Sequence, residues 1–141
     1  MVTLLGGLVG GLVATIAMTM AMMLLGDGSP PPTAALWSKY VGDGAPDDYM
    51  PQGMLLHLLY GIGAGGAFAF ALPVLGFGSA GIVTVLGLAV AYAVTLTVVG
   101  AAFWMKVVLA MDPEPKQAAL FGVFHLTYGV VLAVVVAYAP L

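Results

Sequence analysis

The chain holds two histidines, and both stand in the same setting: His57-Leu-Leu-Tyr60-Gly61 is echoed further on as His125-Leu-Thr-Tyr128-Gly129. Each lies just inside a long apolar run, in a chain that is 62% hydrophobic and 6% charged. An uncharged imidazole carries one donor and one acceptor that hydrocarbon cannot satisfy, so both rings are expected to face the interior of a bundle and meet a polar group there. The simplest chemistry is a hydrogen bond from each ring to a Tyr, Thr or backbone carbonyl of a neighbouring helix. The alternative is cofactor binding: two imidazoles at similar depth on different helices can be the axial ligands of a b-type haem. Tyr60 and Tyr128 would then lie beside it, with Gly61 and Gly129, one turn from each histidine, making room for the macrocycle. A His-dependent proton or small-molecule pathway, or contact with a lipid or quinone, is a further reading.

Other chemistry is poorly supplied. There is no Cys, and no carboxylate falls inside an apolar run. Acid pairs, thiolate sites and buried nucleophiles are therefore missing, and two histidines are too few for a zinc centre. Ion-coupled transport usually leaves embedded charges or broken helices, and the sequence offers neither. The expectation is a chain without enzymatic activity. Its net charge of -3 argues against a nucleic-acid partner and against a polybasic headgroup anchor.

The elements that must hold the histidines follow from where charge is absent. A mean hydropathy of +1.14 is far too high for a domain that covers itself with polar surface, so lipid is the expected solvent and a multi-pass place in a cell membrane the expected location. The nine charged residues are Asp27, Lys39, Asp43, Asp47, Asp48, Lys106, Asp112, Glu114 and Lys116. They divide the chain into spans over about residues 4–25, 53–75, 80–109 and 118–139, each long enough for roughly 30 Å of hydrocarbon at about 1.5 Å per residue. Four crossings bring both charged zones to one side. All three lysines lie there, which the positive-inside rule reads as cytoplasmic. The first run lacks a basic leader and reads as a retained span. The Asp- and Glu-bearing loops of an Ala-, Gly- and Val-rich chain also fit a high-salt organism.

In the first span Gly7, Gly11, Thr15 and Thr19 form a stripe at every fourth residue, a shallow face for close helix packing, to which Gly65 on the second span adds; Met18 and Met22 flank the stripe as gap fillers. The polar loop 26–52 opens on Gly26 to Pro32, which ends the helix. A short interfacial helix is expected at 33–41, N-capped by Thr33 and anchored by Trp37 and Tyr40, with an irregular loop as the alternative. Pro51 is placed to open the second span, which sets His57 about 9 Å into it. Trp104 and Lys106 read as interface anchors, and Asp112 as the N-cap of a fourth helix beginning at Pro113.

Aligning the two His-x-x-Tyr-Gly copies also aligns Gly11–Thr19 with Gly87–Thr95. The fold class expected is therefore an all-α membrane protein, a four-transmembrane-helix bundle of two tandem helical hairpins. Their pseudo-twofold would run along the membrane normal, making the whole chain one domain.

The run Gly11-Leu-Val-Ala-Thr-Ile-Ala-Met-Thr-Met20, a Pro-containing loop with Trp37, and His57-x-x-Tyr60-Gly61 heading a later span resemble the YagU-like group of small prokaryotic inner-membrane proteins. The resemblance implies a polytopic membrane protein and carries over no functional residues. The reading that results is a non-enzymatic packing or partner-binding component of the membrane, in contact with lipid and compatible with a homo-oligomer or a larger membrane complex. A haem-binding electron carrier is the alternative.

Overall fold

The structure, a computed structural model, describes residues 1–139 and 141. Four helical elements are long and apolar enough to cross a membrane. The first, α1, runs Leu4–Leu25, and its N-cap Thr3 accepts the Gly6 N–H through its hydroxyl oxygen at 3.0 Å. Helix α2 is short, Pro32–Tyr40; a 3-10 turn at Pro46–Tyr49 leads into α3, Met50–Val74. Helix α4, Ile82–Val99, continues without a break into a π-helical stretch, Gly100–Val108, and α5 covers Pro115–Tyr138.

Two ends of the bundle differ in character. At one, the tight turn after α3 uses Gly76 at φ 87°, a backbone setting that disfavours side chains, and the Val2 N–H donates to the Gly78 carbonyl at 2.9 Å. At the other lie all nine charged residues. There α2 is fastened to both halves: Thr33 donates to the Gly53 carbonyl of α3 at 2.6 Å, and the Lys39 ammonium donates to the Val108 carbonyl at the end of the π stretch. Ala34 is fully buried against Gly53, where an added Cβ would come within 2.5 Å of the alanine methyl. The loop that follows winds around Tyr49, whose hydroxyl accepts the Asp43 and Gly44 N–H groups and donates to the Asp43 carboxylate. Just before α2, the hydroxyl and amide of Ser29 both donate to Asp27 and hold its carboxyl below the usual carboxylate range.

Two local expectations are corrected. Thr33 lies inside α2 instead of capping it, because Pro31 and Pro32 already supply the extended and first helical residues; its hydroxyl reaches across to α3. Asp112 does not cap α5: the helix starts two residues later, with Glu114 as N-cap, Pro115 in the first turn, and the Gln117 side chain accepting the Glu114 N–H at 3.1 Å. At the end of the π stretch Trp104 lines a half-open cavity, and Lys106 is exposed 3.9 Å from Asp112.

Lipid tails are as apolar as leucine, so hydrophobic transfer does little to join these helices and close packing does more. Helix α1 is the hub, packed on α3 along one side and on α5 along another, and α4 packs on α5. The α1–α3 seam is backbone against backbone: a Cβ on Gly7 would meet Ala69 Cβ at 2.3 Å, one on Gly11 the Gly61 carbonyl at 2.4 Å, and one on Gly65 the Gly7 carbonyl at 2.4 Å. Thr15 is buried with its hydroxyl donating to Gly11, and Thr19 repeats the bond to Thr15. A second small face on α1, Gly6, Gly10 and Ala14, is also buried, with Gly10 against Leu132 of α5.

A twofold relating the two hairpins would require α3 and α4 to pack as α1 and α5 do. Among the described residues they share no comparable seam; Tyr92 links them instead, donating to the Ala64 carbonyl at 2.9 Å with its ring 5.3 Å from Phe68. The alignment of Gly11 with Gly87 also fails as packing. Helix α4 buries Val85, Ala89 and Ala93, and Gly87, two residues off that stripe and so on nearly the opposite side, has open space where a Cβ would stand.

Candidate functional site

The buried core borders the cavity at Met18, Ala64, Phe124 and Tyr128. Phe68, Leu72, Val85, Leu132 and Val136 fill the half nearer the uncharged turn. Toward the charged end the small residues of α1 and α3 give way to Met18, Met22, Met54 and His57, and a half-open cavity of about 1080 Å³ lies between the helices. Its innermost wall is set by one cross-bundle bond: the buried Tyr128 hydroxyl of α5 donates to the Gly61 carbonyl of α3 at 2.6 Å.

The π stretch supplies another wall. Bonds that reach five residues back, such as Leu109 N–H to the Trp104 carbonyl at 3.0 Å, widen the helix. The wider winding brings Gly100, Trp104, Met105 and Leu109 to the cavity, an advance of four to five residues per step that an α-helix would carry around its surface. Methionine lines much of what remains. Met18, Met22, Met23, Met50, Met54, Met105 and Met111, seven of the chain's nine, border the cavity. Such side chains make a surface that adapts to the shape of its contents. At the mouth stand Asp27, Asp47 and Glu114, with Lys116 the one lysine among the lining residues.

Both histidines line this cavity, as do Tyr60, Tyr128 and Gly61. The structure therefore brings the two His-x-x-Tyr copies to one place. It does not give them the expected partners. His125, 7% exposed, turns its Nδ1 to the Phe121 carbonyl of its own helix at 2.8 Å, with the Phe121 ring edge-on at 4.4 Å. A carbonyl only accepts, so Nδ1 carries the hydrogen, and in the uncharged ring Nε2 keeps its lone pair. His57 Nε2 is shielded from water and meets no hydrogen-bonding group among the described residues. The expectation of a bond from each imidazole to a neighbouring helix is thus corrected on both counts.

The glycines beside the histidines are also spent elsewhere. A Cβ at Gly61 would lie 1.8 Å from the Thr15 hydroxyl oxygen, and one at Gly129 2.8 Å from the Ala89 carbonyl and 2.9 Å from Ala93 Cβ. They hold α3 to α1 and α5 to α4, and the space expected there for a macrocycle is filled by the adjoining helix. Gly129 is not among the cavity-lining residues.

The sequence reading missed the cavity. Its one visible signal is the grouping of methionines toward the charged end of α1 and the start of α3, of which Met18 and Met22 read as gap fillers. No protein-family model, curated protein or solved structure matches the chain.

Proposed function

We propose that this integral membrane protein is a non-enzymatic binding component of the membrane, and that the partner it binds is an apolar molecule held inside the bundle. The observation that supports this reading is the cavity itself: about 1080 Å³, methionine-rich, walled by aromatic rings and carrying the two imidazoles as its embedded polar groups. Binding sites are commonly apolar hollows with a few placed polar atoms, and a hollow of this size takes a molecule as large as a lipid or a drug. Haem ligation by His57 and His125 keeps one supporting feature, the free Nε2 lone pair of His125, and loses another, since Gly61 and Gly129 serve helix contacts. Lys39 and Lys106 are engaged at Val108 and Asp112, which leaves Lys116 to meet propionates.

A binder of the folded state raises its stability by mass action. Membrane lipid extract added to the detergent-purified protein is therefore expected to raise its Tm, and to raise it much less for Leu120→Trp, which fills part of the cavity. Equal shifts in the two proteins would refute binding inside the bundle. A visible spectrum after growth with added haem tests the second reading: a Soret band that shifts on reduction and is lost in His125→Ala supports it, and a colourless preparation rejects it.

A further inference from the structure

His57 belongs to two surfaces at once. Inward it lines the cavity; outward, with Thr19 and Met54, it lines a second, apolar groove of about 330 Å³ between α1 and α3. Ile16, Met20, Leu55 and Leu58 complete that groove, and the first three are each half or more exposed on the face that the bilayer covers. Thr19, Met54 and His57 are the residues common to both hollows. They form a wall one side chain thick.

The position of this wall follows from the seam beside it. Gly7 against Gly65 and Gly11 against Gly61 close α1 onto α3 as far as Thr15, beyond which no glycine of α1 continues the contact. Thr19 turns its hydroxyl back to the Thr15 carbonyl and so presents a methyl to the gap, while Met54 is an unbranched, three-torsion side chain that moves aside at little cost. Within this wall His57 Nε2 is buried and unpartnered among the described residues.

We infer that the Thr19–Met54–His57 seam is a lateral portal through which a hydroxyl-headed lipid passes from the bilayer into the cavity; the inference rests on the binding function proposed above. The head chemistry follows from His125. His125 is committed to donate at Nδ1 and so offers Nε2 as an acceptor, which asks for an O–H or N–H on the ligand. An ammonium head would have to bring its charge into the hydrocarbon layer, which is costly. A carboxylate head would meet a mouth with three acids against one lysine and could not donate to His125. A neutral hydroxyl meets both conditions: it can donate to His125 Nε2 and brings no charge into the hydrocarbon layer.

The test uses the full chain in phosphatidylcholine vesicles. Trp37→Phe leaves Trp104, which lines the cavity, as the single indole. The probes are a dibrominated C18 alcohol, its methyl ether and the corresponding fatty acid, each read by quenching of Trp104. The alcohol is expected to quench saturably, and the ether, which cannot donate, to bind about tenfold more weakly, the worth of one buried hydrogen bond; the acid is expected to bind more weakly than the alcohol. Ile16→Phe combined with Leu55→Phe, at residues that line the groove and not the cavity, should slow the approach to the same end point by about tenfold, and Leu58→Ala should hasten it, since obstruction of a path alters rates and leaves affinity in place. Unchanged rates in both variants, with quenching still saturable, would overturn the portal and leave the binding function standing. Equal affinity for alcohol and ether would overturn the hydroxyl assignment. No saturable quenching by any probe would overturn the binding function and the portal together.

Discussion

The two His-x-x-Tyr-Gly copies share a sequence and divide the labour. In α5, Tyr128 is 2% exposed and spans the bundle to α3, and His125 is tied to its own backbone. In α3, Tyr60 is 44% exposed and the buried nitrogen of His57 has no partner among the described residues. Only the glycine does the same thing twice, admitting a neighbouring helix in each copy. What differs is the surroundings: α5 lies between α1 and α4, whereas α3 has α1 on one side and, toward the charged end, the cavity and the lipid-facing groove. A motif repeated in one chain thus bonds across the bundle through its tyrosine where it is enclosed, and leaves that tyrosine exposed where one side is open.

Substitutions can sharpen or break this contrast, and the glycines should give the largest effect. Gly61→Ala would drive a methyl into the Thr15 side chain and is expected to cost about 3 kcal/mol, at the upper end of overpacking penalties. Gly129→Ala, with its clashes near 2.8 Å, should cost roughly half as much, and Gly87→Ala, in open space, should be neutral or slightly stabilising. Reversible unfolding in mixed micelles orders the three, and a tolerated Gly61→Ala would contradict the seam.

The tyrosines come next. Tyr128→Phe removes a buried bond across the bundle and strands no side chain, so a loss of about 0.6 to 1.7 kcal/mol is expected, against almost none for Tyr60→Phe. Hydrogen exchange at the α3 amides beside Gly61 should rise in the first variant alone; the same rise in both would erase the distinction.

The smallest effect belongs to the histidines. With no lipid ligand added, His125→Leu should lose about 1 kcal/mol with its bond to Phe121, whereas His57→Leu should be neutral or stabilising because an apolar group replaces an unpaired one. A larger loss at His57 than at His125, by the same unfolding measurement, would show that the α3 copy has the structural role assigned here to α5.

Much of the architecture was legible because it follows from where charge cannot go. The first span, read as residues 4–25, coincides with α1, since Thr3 and Gly26 bracket an apolar run with no competing stop. The Gly7–Gly11–Thr15 stripe was readable from spacing alone, but its partner face Gly6, Gly10, Ala14 was not, because glycine is frequent enough in α1 that two faces satisfy the same rule. The caps at Thr33 and Asp112 misled because a nearby proline in each case fixed the helix start at another residue. The cavity was out of reach: it is lined from several helices at once, around Met18, Met54, Trp104 and Phe124, and no single segment records how they meet. The widened winding at Gly100–Val108 has no sequence signal that we can name.

That widened stretch has an evolutionary consequence. A π turn takes up more chain than an α turn over the same arc, so Gly100–Val108 is a helix carrying surplus length. A single-residue deletion at exposed Ala102 has somewhere to be absorbed: the backbone can rewind as α-helix while Ile82–Val99 and Pro115–Tyr138 keep their places. The same deletion in α1, pinned on two faces by glycine contacts, would rotate every later residue by about 100° and unmake both. Length variation among descendants of this chain is therefore expected to collect in the cavity wall, where it would reshape the binding site without disturbing the seam that holds the bundle together.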